Sequence, residues 1–310
     1  MGSQIKIFGP AYAFIDGKLD VFLHDRVLDV IAQVAAPMRA ALVLYVLLYG
    51  FAILRGAIAE PIVDFAVRSL KLTIIYMLAT TAAYSDWVTT PLFQILPATL
   101  TQAISGSAST DPGAAFDQFF AHAAYLGERI GQTANGVNFP PLLVAGAVYV
   151  IGALAAALGF GVVIIAKVAL ALLVALGPIF IACALFEATR RFFFGWLGQA
   201  VNYLLLMALI VTVFQLILSL VEDQWGRIDG QDPMAGGLLF IALCILGLIF
   251  FLQTPAIAAA VAGGTSAGVA DFGNALGAAF RGGQTLARST GASSRAPRAG
   301  ASSQPASGKT

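Results

Sequence analysis

Charge is what this chain has least of. Asp, Glu, Lys and Arg make up 11% of its 310 residues, against about 25% in an ordinary soluble domain. Histidine is nearly missing, with only His24 and His122, and cysteine is limited to Cys183 and Cys244. Two distant thiols inside apolar runs give no disulfide framework and read as small hydrophobes. No Cys/His cluster has metal-ligand spacing, and no Ser-His-Asp set stands out. Gly308-Lys309-Thr310 looks like the end of a phosphate loop, but the earlier glycine it needs falls at Ser303. Gly159-x-Gly161 lacks the third glycine of a dinucleotide fingerprint. We therefore expect no catalytic residue, no metal and no cofactor, and a protein that is not an enzyme.

Hydrophobic residues dominate, at 59% of the chain, and mean hydropathy is +0.87. A soluble fold cannot bury so much apolar surface. A bilayer solvates it, provided that backbone polar groups are paired internally. The apolar runs are long and continuous rather than alternating over about ten residues, which favours helices over barrel strands. The expected fold is an all-α polytopic membrane protein with about five transmembrane helices, six as the alternative.

Residues 1–30 read as an N-terminal amphipathic segment. Leu19, Leu23, Val27, Val30 and Val34 recur at helical spacing, while Asp16, Asp20, His24, Asp25 and Asp29 fall largely elsewhere. Two spans are expected within 31–84, over about Ile31–Leu54 and Ile62–Tyr84, each near the roughly 20 residues a crossing requires. Residues 85–140 are rich in Pro, Gly, Ser, Thr and Asn and read as a large loop with short helices, one near 113–131. A transmembrane core follows over 141–262. Within it, Leu142–Phe186 is broken only by Lys167 and is too long for one crossing. Gly159 and Gly161 offer a hinge, and Gly177-Pro178 a second break, because proline removes a donor and kinks a helix. One crossing plus a half-buried piece is the simplest reading. Further spans fit about Leu197–Val221 and Met234–Gln253. The Ala/Gly-rich, basic tail covers 263–310, with Gly273-x-x-x-Gly277 suited to close helix contact and disorder expected from about 289.

Lys and Arg in short loops set orientation. Arg55, Arg68 and Lys71 mark 55–71, Arg190 and Arg191 mark 187–196, and Arg281, Arg288, Arg295, Arg298 and Lys309 mark the tail. Residues 85–140 contain only Arg129, and 222–233 only Arg227. This places 55–71, 187–196 and the tail in the cytoplasm, and 85–140 and 222–233 in the periplasm. With five crossings the N-terminus is periplasmic. Six crossings, with Lys167 at a cytoplasmic turn, would put Arg190 and Arg191 outside.

Lys167 has two readings. It lines a pathway or pairs inside the bundle, since ionisable groups at membrane depth are costly. Or its ammonium snorkels to an interface. Glu187 has Arg190 and Arg191 at i+3 and i+4, the spacing of a surface ion pair. Asn202, Gln215 and Gln253 are candidates for hydrogen bonds between helices.

One stretch is more specific. Leu176-Gly177-Pro178-Ile179-Phe180-Ile181 is followed by Leu185-Phe186, by Thr189-Arg190-Arg191-Phe192-Phe193-Phe194-Gly195-Trp196-Leu197, and by Asn202-Tyr203. This resembles the TrbL-type polytopic inner-membrane subunit of bacterial type IV secretion systems, and the order of segments agrees with that plan. The resemblance implies a subunit of the inner-membrane complex that supports passage of DNA or protein cargo and pilus assembly. It implies as partners the pilin, inner-membrane scaffold proteins, a minor pilus subunit and ATPases, and a homo-oligomeric ring, with five-fold symmetry as one option. Gly177, Pro178, Arg190, Arg191, Phe193, Gly195 and Trp196 are the assembly or interface residues it singles out. Arginine at phospholipid phosphates and tryptophan at the interface would set the height of the helix. The alternative function is a stand-alone secondary transporter, with broken helices at Gly159/Gly161 and Gly177-Pro178; a lipid-acting membrane enzyme is a weaker third.

Overall fold

A computed structural model of the chain describes residues 6–56, 62–105, 111–133, 139–228 and 233–262, without the side chains of 62, 105, 221–228, 233 and 234. Gly273, Gly277 and the basic tail lie outside the described residues, as do Asp229 and Asp232.

Every described element is helical. Helix α1 spans Phe8–Leu54, α2 Ile62–Thr80, α3 Leu96–Ser105 and α4 Pro112–Gln132. Then come α5 (Pro140–Ala175), the short α6 (Gly177–Ala182), α7 (Arg190–Ile228) and α8 (Pro233–Val261). Among the described residues, four stretches are long and apolar enough to cross a membrane: Phe8–Leu54, Pro140–Ala175, Arg190–Leu220 and Ala235–Val261. Val63–Thr80 and Ser85–Ile104, bent against each other by 92°, make a fifth if they count as one span.

Three sequence expectations change. First, the amphipathic segment and the first span are one helix. α1 has 47 residues, about 70 Å at 1.5 Å per residue, more than twice the roughly 30 Å hydrocarbon core. No breaker separates Val30 from Ile31. Pro37 lies inside the helix and removes one donor without ending it. Leu23, Val27, Ile31 and Met38 form its buried edge, whereas Leu44, Leu47, Leu48 and Phe51 beyond it are exposed.

Second, most of 85–140 is not loop. Two π-helical turns (Ser85–Thr89 and Pro91–Ile95) lead into α3, and α4 follows. Composition hid this in part because Thr99, like Thr80 and Thr81 just before the segment, is spent locally. The hydroxyls of Thr80, Thr81 and Thr99 donate to the carbonyls of Tyr76, Met77 and Ile95, which lets polar residues sit in an apolar helix. α4 opens on a cap, with the Asp111 carboxylate accepting from Gly113 N at 2.9 Å. It buries Phe116, Phe119, Ala123, Leu126 and Ile130.

Third, Gly159 and Gly161 do not interrupt α5, which is continuous for 36 residues. Gly159 is a packing notch: a Cβ there would run into the Phe214 ring and come within 3.1 Å of Phe116. α8 likewise continues through Pro255.

Two buried clusters hold the bundle. One joins α4, α5, α7 and α8 through Phe116, Phe119, Phe214 and Phe240. Its rings meet edge to face, with Phe116–Phe214 at 4.5 Å and Phe119–Phe214 at 5.1 Å between centroids, the arrangement their quadrupoles favour. The other joins α1, Tyr84, Phe93, the last turns of α5 and the start of α7 through Leu23, Val27, Leu170, Val174 and Trp196.

Candidate functional site

The stretch singled out in the sequence folds into the corner between α5 and α7. A helix leaves its last carbonyls without donors, and Gly177-Pro178 aggravates this at α5. Pro178 stands four residues after Val174, where a continuing helix would offer an N–H. Two side chains from elsewhere supply what is missing. Tyr84 Oη donates to the Val174 carbonyl at 2.6 Å, and Trp196 Nε1 donates to the Leu173 carbonyl at 2.8 Å. Tyr84 is fully buried and Trp196 nearly so. Glycine at 177 is required by close approach, because a Cβ there would overlap Tyr84 Oη and lie 3.1 Å from Trp196.

Aromatic packing and one hydroxyl complete the corner. The Trp196 ring stacks on Phe180 at 6.3 Å and meets Phe193 at 5.9 Å. Thr189 Oγ1 donates to the Cys183 carbonyl at 2.6 Å, closing the turn between α6 and α7. Trp196 is therefore buried within the protein. Its indole faces inward because an unpaired carbonyl there is the stronger claim on its N–H.

The remaining motif residues point the other way. Arg190 and Arg191 are exposed, and their guanidinium groups lie over the rings of Phe194 and Phe192, 5.2 and 5.0 Å from the centroids. This is cation–π distance, and it replaces the expected pairing with Glu187. Gly195 is exposed, with open space where a Cβ would be. The motif thus has an inner half (Gly177, Pro178, Phe193, Trp196) that builds the corner, and an outer half (Arg190, Arg191, Gly195) that does not.

Two turns before the corner lies Lys167, 5% exposed. It does not snorkel. Nζ donates to Tyr12 Oη at 2.9 Å, forms an ion pair with Asp16, and lies over the rings of Tyr12 and Phe93 at 4.7 and 4.9 Å. A buried ammonium needs such partners, and α1 brings two of them. The same end of α1 is held twice more. Asp117 of α4, 8% exposed, accepts from the backbone N–H groups of Ile7, Phe8 and Gly9 at 2.8, 2.8 and 2.9 Å. An anion at a helix N-terminus is favoured by the orphan donors and by the dipole. Asp20 accepts from Gln94 Nε2 at 2.9 Å.

Sequence reasoning missed Tyr84, Asp117, and the partnership of Tyr12 and Asp16 with Lys167. Spacing carries no signal for contacts across such distances. Pro178 was the one available hint, since it guarantees an orphan carbonyl at Val174. Of the candidate polar bridges, Gln253 is exposed, and Asn202 Oδ1 is buried without a hydrogen-bond partner.

The same fold and corner fall within a region shared with known proteins. The TrbL/VirB6 plasmid conjugal transfer protein family matches residues 42–254. The chain is 27% identical over 262 residues to the type IV secretion system protein VirB6 of Bartonella henselae, covering 79% of this chain and 76% of the relative. It is 29% identical over 272 residues to the protein VirB6 of Agrobacterium fabrum, covering 81% and 88%. A match that runs from the last turns of α1 into α8 and includes the corner makes this chain a member of the TrbL/VirB6 family.

Proposed function

We infer that this protein is a multi-pass inner-membrane subunit of a type IV secretion system, with a structural rather than a catalytic role. The observation that carries this is the family match over 42–254, which contains α2, α5, α7, most of α8 and the locked corner. In this reading the inner half of the motif fixes the angle between α5 and α7. The outer half, with Arg190, Arg191 and the bare backbone at Gly195, is the surface offered to neighbouring subunits. Small residues permit close helix approach. The exposed apolar face of α1 around Leu44, Leu47, Leu48 and Phe51 supports a homo-oligomeric ring, since it is available to a second copy. Pilin, scaffold proteins, a minor pilus subunit and ATPases are the further partners, and DNA or protein is the cargo.

Five crossings, with a periplasmic N-terminus and a cytoplasmic C-terminus, fit best when the bent pair α2 and 85–104 counts as one span. Arg68, Lys71 and Arg190 then lie on one side, and they line one cavity. The transporter reading loses one of its two supports, because α5 is unbroken at Gly159 and Gly161, while the break at Gly177-Pro178 serves the corner.

The test is deletion of the gene in its host, with cargo transfer and surface pili measured together. Loss of either output, restored by the wild-type gene, is the expected result. Arg191→Glu and Gly195→Leu should accumulate normally and fail to complement. Unchanged transfer and pili after deletion would overturn the assignment.

A further inference from the structure

We propose that the cleft between α2 and the α6–α7 corner is a binding site for one glycerophospholipid, held by its phosphate and one acyl chain. The cleft is a cavity of about 910 Å³, within the roughly 300–1,000 Å³ of pre-formed ligand sites. Its wall is apolar, with Ile75 and Leu78 of α2, Leu92, Ile181 and Phe193, and Trp196 at its base. Its charged groups are Arg68, Lys71 and Arg190 together with Asp64 and Glu187, an excess of one positive charge. An apolar hollow that also carries cations matches a molecule with a hydrocarbon tail and an anionic phosphodiester.

The two arginines are braced for this. Arg68 lies over the Tyr49 ring at 4.7 Å and Arg190 over Phe194 at 5.2 Å. A guanidinium held over a ring keeps its positive charge beside the cleft, where a phosphate is attracted to it. Lys71, exposed and one turn beyond Arg68, adds a point charge. The position has a structural consequence: a lipid seated here would tie α2 to the corner that Tyr84 and Trp196 lock from the inside.

The full-length protein, purified in mild detergent and extensively washed, is examined by native mass spectrometry. It is then placed in nanodiscs containing a phospholipid with a diazirine on its acyl chain, and photolysed. We expect about one phospholipid retained per chain, and label on α2 and on residues 181–193. Ala184→Phe, which fills the cleft, and the pair Lys71→Glu with Arg190→Glu, which removes the phosphate grip, should each lower retention at least tenfold. Protection of buried Cys244 from a maleimide verifies that both variants are folded. Three results would overturn the proposal. These are no retained lipid, retention unchanged in both folded variants, or disulfide cross-linking of Lys71→Cys between copies without lipid label, which would make a second copy the occupant.

Discussion

The corner makes a sharp prediction about Tyr84. Removing its hydroxyl takes from the Val174 carbonyl its short side-chain donor and leaves only the C-cap N–H of Leu176, shared with Leu172, because Pro178 has no N–H to give. The ring itself stays packed in Tyr84→Phe, so no large cavity forms. An unsatisfied buried acceptor costs about 1–3 kcal/mol. At roughly 2–4 °C per kcal/mol for a chain of this size, the unfolding midpoint should fall by several degrees. The control is Pro178→Ala, which restores an N–H four residues after Val174. Alone, it should be near neutral, since Tyr84 already occupies that carbonyl. Combined with Tyr84→Phe, it should recover about 1 kcal/mol or more of the loss, a coupling that a double-mutant cycle measures. The assay is thermal unfolding in detergent, read by helical circular dichroism and by maleimide reaction of Cys244, which is 1% exposed when folded. If Tyr84→Phe leaves the midpoint unchanged, or if the two losses simply add, the account of the corner is wrong.

Three other perturbations follow from the same geometry. Asp16→Asn should destabilise by up to about 3–5 kcal/mol, because it strands the Lys167 ammonium. Lys167→Met should cost less, since Asp16 retains 41% of its side-chain exposure, and the double variant should recover most of the Asp16→Asn loss in the same melts. Asp117→Ala removes three charge-assisted bonds from the start of α1 and should cost about 0.5–2 kcal/mol; hydrogen exchange at residues 7–9 should accelerate while α8 is unaffected. Gly159→Ala should cost about 1–3 kcal/mol by overpacking against Phe214. Gly161→Ala, which meets open space, should be neutral or stabilising by up to about 1 kcal/mol. Equal effects at the two glycines would contradict the notch.

The sequence was a good guide wherever a local rule applied. Long uncharged runs required apolar helices, because a bilayer leaves the backbone no other partner than itself. Gly177-Pro178 required a break, because proline cannot donate, and α5 does end at Ala175. The expected helix near 113–131 corresponds to α4 at Pro112–Gln132, since its apolar positions repeat at helical spacing. The Leu-Gly-Pro and Arg-Arg-Phe-Phe-Phe-Gly-Trp segments pointed to the family. Composition misled where hydroxyls were concerned: Thr99, one of the residues that suggested loop over 85–105, satisfies itself on the Ile95 carbonyl.

What the sequence alone determined is therefore the material and its punctuation: apolar helices, where one of them must stop, and which family the chain resembles. What only the tertiary structure decided is how the polar groups are satisfied. Lys167 could have reached for an interface, and Trp196 could have anchored in one. Each turns inward because a distant segment presents the group it needs, Tyr12 and Asp16 from α1 for the ammonium, and the Leu173 carbonyl at the end of α5 for the indole. Such pairings join residues far apart in the chain. No spacing rule encodes them, and the low-dielectric interior makes them too costly to leave unmade.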